Sequence, residues 1–164
     1  MKPRSRLQPK HIALLIAALY APASFAAIAA RVEFSTGDPV LLGSDGKERP
    51  LKRGDTLSTG ERIRTRSGRV QLSFTDGAFV SLHPETEFGV EQYTYQGKLD
   101  GSEKGFFKML KGTLRTITGL IGRGRKDAYR IETPTATIGI RGTGGLIQVN
   151  DNGTSVHVPL VPKT

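Results

Sequence analysis

Arg69-Val70-Gln71-Leu72-Ser73-Phe74, then Thr75-Asp76-Gly77-Ala78, then Phe79-Val80-Ser81-Leu82, is the stretch on which the fold reading turns. Polar and apolar residues alternate on both sides of the Asp-Gly pair. Successive side chains of a strand point to opposite faces, so Val70, Leu72 and Phe74 share one face, and Val80 and Leu82 form a second stripe. Asp-Gly tolerates positive φ at both positions, which a tight hairpin turn requires. The stretch therefore predicts two paired strands with one buried face.

The same pattern continues outward in both directions. Val32 and Phe34 alternate before Gly37-Asp38-Pro39, and residues 40–42 precede Ser44-Asp45-Gly46. Residues 51–56 contain Gly54-Asp55, and Thr59-Gly60 follow. Phe88, Val90 and Tyr93 form a strand pattern after Pro84. Residues 106–110 lead into Gly112, with Leu114 and Thr116 beyond it. Tyr129, Ile131 and Thr133 alternate up to Pro134, and Ala136, Ile138 and Ile140 up to Arg141-Gly142-Thr143. Residues 146–149 precede Asn150-Asp151-Asn152-Gly153, and Val156 and Val158 close the series. About ten short strands with a turn signal every 8–12 residues suit a sandwich, a barrel or a β-solenoid. After residues 1–26, no stretch of about 12 residues or more has helical periodicity; the nearest, residues 104–111, is bracketed too tightly by Gly105 and Gly112. The expectation is a single all-β domain, stacked in a solenoid-like or sandwich-like way, after an N-terminal signal helix.

Composition narrows the class. A chain of 164 residues makes one domain rather than two, and 20 glycines fit many short strands and turns. With no cysteine, disulfides, thiolate catalysis and cysteine metal sites are excluded. Lys2, Arg4, Arg6 and Lys10 precede the uncharged residues 12–19, and Ser24 and Ala26 follow at the spacing of a cleavage site, so residues 1–26 read as a signal peptide. Cleavage after Ala29 is an alternative. The rival is a membrane anchor, which reaches a spanning length of about 20 residues only by including Pro22 and Ser24. Without a cysteine there is no lipoprotein anchor. Removing the four cations of residues 1–26 lowers the net charge from +9 to +5. After cleavage no membrane span is expected. The remaining organisation reads as N-terminal strands at 27–51, a core domain at 52–149 and a short strand or tail at 150–164.

Two motifs resemble a known family. The first is Gly54-Asp55-x-Leu57-x-Thr59-Gly60, Ile63, Ser67-Gly68, then Val70-x-Leu72-x-Phe74-x-Asp76-Gly77-x-x-Val80-x-Leu82, continued by Thr86 and Phe88. The second is Thr133-Pro134-x-Ala136-x-x-x-x-Arg141-Gly142-Thr143. In this order, behind an export signal, they are similar to the FecR domain of bacterial periplasmic proteins. The resemblance implies a noncatalytic module of short stacked strands. Family members that relay iron-uptake signals carry a cytoplasmic anti-sigma segment and a membrane helix before this domain. A cleavable signal stands there instead, so the anti-sigma role does not carry over. The family also usually continues with further strands after Arg141-Gly142-Thr143, where residues 156–161 offer one. Read physically, Gly54, Asp55, Gly60, Asp76 and Gly77 build turns, and Pro134 ends one strand because it cannot donate to a ladder. Arg141, with five donors, can tie turn carbonyls together beside Gly142 and Thr143.

Catalytic signatures are weak. His83 and His157 have no second histidine at metal-ligand spacing, and no G-x-S-x-G elbow is present. Asp76 with Glu85 or Glu87 imitates a carboxylate pair but reads as a turn residue and edge charges. Gly122-x-Gly124 lacks the third glycine of a dinucleotide loop. No cofactor and no metal are expected. The strongest functional signal is basic: Lys108, Lys111, Arg115, Arg123, Arg125, Lys126 and Arg130, with Gly119, Gly122 and Gly124 read as a flexible middle. Either this is a solvated loop that guards a sheet edge, or it contacts an anionic partner such as a glycan, a lipid head group or an acidic protein face. A nucleic-acid partner does not fit an exported chain without an aromatic platform between the charges. The function expected is a noncatalytic, exported FecR-like binding or signalling and scaffolding module of the periplasm or cell envelope, with an envelope protein or polymer as partner. The alternatives are a structural adhesion module and an envelope glycan-processing enzyme.

Overall fold

The computed structural model describes residues 27–125, 127–140 and 144–157. The signal-like residues 1–26, Lys126, Arg141, Gly142, Thr143 and residues 158–164 lie outside the described residues. In chain order the strands are β1 (Ile28–Ser35), β2 (Val40–Leu42), β3 (Glu48–Pro50), β4 (Thr56–Ser58), β5 (Arg62–Arg64), β6 (Val70–Phe74) and β7 (Phe79–Leu82). They continue with β8 (Glu87–Thr94), β9 (Lys104–Ile117), β10 (Tyr129–Glu132), β11 (Thr137–Gly139), β12 (Gly144–Asn150) and β13 (Gly153–His157). One short helix, α1 (Leu120–Gly124), separates β9 from β10. The chain is all-β, as the alternation requires.

The strands form one sheet that curls until its two wings face each other. One wing runs β4-β1-β6-β7-β9-β12-β13, and the other runs β3-β2-β5-β8-β9-β10-β11. Among the described residues only β9 and β10 pair in parallel. The expected all-β stack is thus one curled sheet. The 14-residue β9 belongs to both wings. Its first half buries Gly105, Phe107 and Met109, and its second half buries Leu114 and Thr116, so the inward phase slips by one residue between them. Strands that change sheets do so at bends and bulges. Here the slip centres on Gly112, whose φ of +98° is poorly tolerated by a side chain, and whose Cβ would come within 2.4 Å of Thr86. Thr86 secures the corner, donating through Oγ1 to the Thr113 carbonyl and accepting from the Thr113 N–H, both at 3.0 Å.

The expected inward set, Val70, Leu72, Phe74, Val80 and Leu82, is buried. Its Asp76-Gly77 turn forms as a hairpin, with Gly77 at φ +82°. Between the wings, Phe107 collects the aromatic core. Its ring centroid lies 5.2 Å from Phe74, edge-on, 5.2 Å from Tyr129 and 5.6 Å from Phe88, stacked. Such contacts add about 0.5–1.5 kcal/mol each beyond area burial.

Strict alternation also fails where strand registers shift, and two of these places bear on the expected pattern. Phe34, expected beside Val32, is 45% exposed, because the β1–β6 register shifts between Val32 and Phe34. On β8 a bulge between Val90 and Gln92 turns Tyr93 rather than Gln92 into the core. An extra residue on one strand inverts every later position.

Candidate functional site

The curl of β9 distributes the basic segment. Before Gly112 its outward residues lie on the β8 wing; after Gly112 they lie on the β7 wing. Lys108 sits in register with Gly89 and Glu132, and Arg130 with Phe106 and Gly139. Arg115 is exposed on the opposite wing, in register with Ser81 and Leu146. Lys111 is exposed near the bend, opposite Glu87. Arg123 lies in the last turn of α1, and Arg125 follows it. Thus Lys108 and Arg130 come together, while Arg115 does not join them.

Two readings of this segment need correction. Lys108, Lys111 and Arg115 do not guard an edge, because β9 is the strand paired on both sides in each wing. The glycine-rich middle is not a flexible loop either. It forms α1, and Gly119 and Gly122 are buried. A Cβ on Gly119 would lie 2.4 Å from the Ala78 nitrogen and 2.5 Å from the Asp76 carbonyl oxygen. The glycine there permits a close backbone approach.

Around Lys108 the outer surface has a defined chemistry. The Arg130 guanidinium lies 3.8 Å from the centroid of the half-buried Phe106 ring, and the Lys104 ammonium lies 6.0 Å from it. A cation over an aromatic face is attracted by the ring quadrupole. Arg130 also pairs with Glu132 at 3.2 Å. Lys108, Lys111, Arg115 and Arg123 make no ion pair among the described residues. Arg125 is committed elsewhere: it donates to the Gly101 carbonyl at 2.6 Å and to Asp127 at 2.7 Å. Sequence reasoning missed Lys104 and Phe106; their alternation with Lys108 along one strand was the available signal.

A second cluster is buried. Asp76, 2% exposed, accepts from the Tyr93 hydroxyl at 3.0 Å, the Ala78 N–H at 3.1 Å and the Ile121 N–H at 3.2 Å. The Tyr93 hydroxyl in turn accepts from Thr75 and from the Asp76 N–H. Burial pushes the Tyr93 hydroxyl well above its ordinary value of 10.0, as it does for Tyr129, which shares a 2.8 Å hydrogen bond with Thr116. Every polar group of the cluster has an internal partner, so it locks α1 and the β6–β7 turn to β8. Asp76 lies at the Tyr93 end of β8. Glu87, at the other end, pairs with Arg64 at 3.5 Å, so the imitation of a carboxylate pair dissolves.

Gly54 and Gly60 take positive φ in turns, at +90° and +87°, and Asp55 accepts from the Lys52 N–H and from Arg49. Pro134 lies in the exposed turn between β10 and β11, closed by the Thr133 N–H to Ala136 carbonyl bond of 2.8 Å. Among the described residues, no three His, Cys, Asp or Glu side chains are grouped to hold a metal ion. Among them too, no helix is long and apolar enough to cross a membrane.

A family model described as FecR protein matches residues 61–161, which is more than half of the chain. The chain belongs to the FecR family. FecR domains are noncatalytic as a family, signalling-related, and typically associated with the periplasm or envelope. No curated protein and no solved structure matches the chain.

Proposed function

We propose that this FecR-family chain is an exported, noncatalytic binding module that relays or scaffolds a signal in the envelope by engaging an acidic face of another envelope protein. The observation that carries this reading is the cationic and aromatic surface on β9 and β10: Lys104 and Arg130 flank Phe106, with Lys108 on the same outer face. Arginine and aromatic residues are the side chains that most often anchor protein interfaces. The face belongs to a sheet rather than a cleft, which suits a protein surface better than a small molecule.

The test is retention of envelope proteins on the immobilised chain. A Lys104→Gln, Lys108→Gln, Arg130→Gln variant is expected to lose a partner that the wild type retains, and an Arg115→Gln control on the other wing is expected to keep it. Raising salt from 0.1 M to 1 M, which shortens the Debye length from about 10 Å to about 3 Å, should weaken the wild type in the same direction. Equal retention by the triple variant at low salt would overturn this assignment of the face.

A further inference from the structure

A separate cleft of about 500 Å³ opens at the other end of the β8 wing, where the β1–β2 connection, the β3–β4 connection and the β5–β6 turn meet. Its lining combines two chemistries. Val40 and Pro50 provide an accessible apolar floor over the buried Pro39 and Leu51, while Lys52, Arg53 and Arg66 provide three cations against the single carboxylate of Asp38. None of these four charged side chains makes a hydrogen bond or an ion pair among the described residues. Elsewhere on the same wing Arg49 pairs with Asp55 and Arg64 with Glu48 and Glu87, while Arg62 makes no ion pair among the described residues. The cleft keeps a net positive charge, with Lys52 within electrostatic reach of the Asp55 carboxylate.

The walls are also held in place. Asp38 and Arg66 take left-handed φ angles of 53° and 49°, uncommon for residues with side chains, and both face the same cleft. Strained backbone persists only where its surroundings over-determine it. Here the surroundings are visible. The Thr36 N–H donates to the Arg69 carbonyl at 3.0 Å, and the Arg69 N–H donates to the Thr36 hydroxyl at 3.2 Å. Gly37 packs so closely on Gly68 that a Cβ on either would fall within 2.3 Å of the other segment's backbone. The β1–β2 connection is thus clamped to the β5–β6 turn, and the cleft is formed before any ligand arrives.

We propose that this cleft binds a short acidic peptide segment, with a carboxylate on Arg53 and Arg66 and a neighbouring apolar side chain on Val40 and Pro50. Guanidinium groups match carboxylates in bidentate geometry. The apolar floor asks for more than a bare anion. No aromatic ring lines the cleft, so it offers no stacking surface to a sugar or a nucleobase. The site is distinct from the β9–β10 face, with β5 and β8 lying between them.

The experiment titrates the isotope-labelled full chain with an N-acetylated, amidated tetrapeptide of alternating leucine and glutamate, followed by amide chemical shifts. Shifts at Asp38, Val40, Leu51 and Arg66 are expected with millimolar peptide. An Arg53→Gln, Arg66→Asn variant is expected to bind about tenfold more weakly or worse, the loss typical of a charge-assisted bond. Asparagine is chosen because it tolerates the left-handed angle. Should that variant disturb the turn, Lys52→Gln with Arg53→Gln reads the same loss from exposed positions. Equal binding of the glutamine counterpart would overturn the role of the carboxylate. Equal binding of glucuronate or inorganic phosphate would overturn a peptide ligand in favour of a general anion site, and an absence of shifts would overturn the site. The Lys104, Lys108, Arg130 variant is expected to bind the peptide normally, so this proposal and the β9–β10 reading fail independently.

Discussion

The turn at Thr75-Asp76-Gly77 and the turn at Arg53-Gly54-Asp55 use the same materials. Each sets a glycine at positive φ, +82° and +90°, beside an aspartate. Their surroundings differ completely. The Asp76 carboxylate is reached by Tyr93, 17 residues away, and by the Ile121 N–H, 45 residues away. Asp55 is reached by Lys52 and Arg49, three and six residues away, and its side chain stays 30% exposed. The Asp76 carboxylate is a junction of the whole fold, whereas the Asp55 carboxylate closes locally, its turn reaching across the fold only by backbone bonds to Val32. Turn chemistry sets the backbone in both; the long-range donors decide which turn the fold depends on.

The comparison predicts a ranking of stabilities, read from urea unfolding midpoints at constant slope. Phe74→Ala, directly before the buried turn, should cost most, about 3–5 kcal/mol, because it leaves a void beside Phe107 and Tyr93. A loss under about 1 kcal/mol would show that this turn is not anchored in the core and would break the contrast outright. Asp76→Ala should come next, at roughly 2–4 kcal/mol, since it strips the acceptor from the Tyr93 hydroxyl and from the Ala78 and Ile121 N–H groups. It should also loosen α1, visible as faster amide exchange at Ile121.

That ranking marks how far the sequence was legible. Val70, Leu72 and Phe74 could be read because their register is local and a single turn fixes it. The Gly54 and Gly77 turns were equally plain. Phe34 misled, and the bulge that brings Tyr93 inward beside Phe88 and Val90 could not be read, because a bulge depends on the partner strand, which the sequence does not display. The run on both sides of Gly112 could be read as continuing, but not the bend that Gly112 makes where it packs on Thr86. Helix α1 was illegible for a stronger reason. Five residues rich in glycine have no helical preference of their own, and they are held by Asp76, far back in the chain. The basic cluster was visible as a composition, but not its division between two outer faces. The cleft at Arg53 and Arg66 left no motif, since three separate connections build it.

A smaller effect sharpens the buried side of the contrast. Tyr93→Phe keeps the ring and removes only the hydroxyl, so it should cost about 1–2 kcal/mol. It also carries a pH signature. The folded-state value of Tyr93 lies above its ordinary value of 10.0, so its contribution is fully present below that pH and is lost as pH rises above it. Tyr129 behaves alike. The wild type should therefore weaken in alkali, and Tyr93→Phe should weaken less steeply, with Tyr129 supplying the remaining slope. Identical alkaline slopes would mean that the Tyr93 hydroxyl meets water in solution.

The smallest effect belongs to Asp55, and its sign is opposite. The Lys52 N–H bond, assisted by the Arg49 guanidinium, holds the Asp55 carboxyl below its ordinary value of 3.8. A lowered folded-state value gives stability that is present above the unfolded value and lost as pH falls through the folded one. Asp55→Asn should thus cost under about 1 kcal/mol at neutral pH, as solvent-screened pairs do. Below about pH 4 the difference between variant and wild type should shrink, because the wild type is losing the same interaction. Asp100, held at about 2 by its bonds from Ser102, titrates in the same acid range and sets a background common to both proteins. The informative quantity is therefore the difference between the two acid titrations rather than either alone. If Asp55→Asn proved as costly as Asp76→Ala, local donors would suffice to make a turn essential, and sequence separation would not be what distinguishes the two turns.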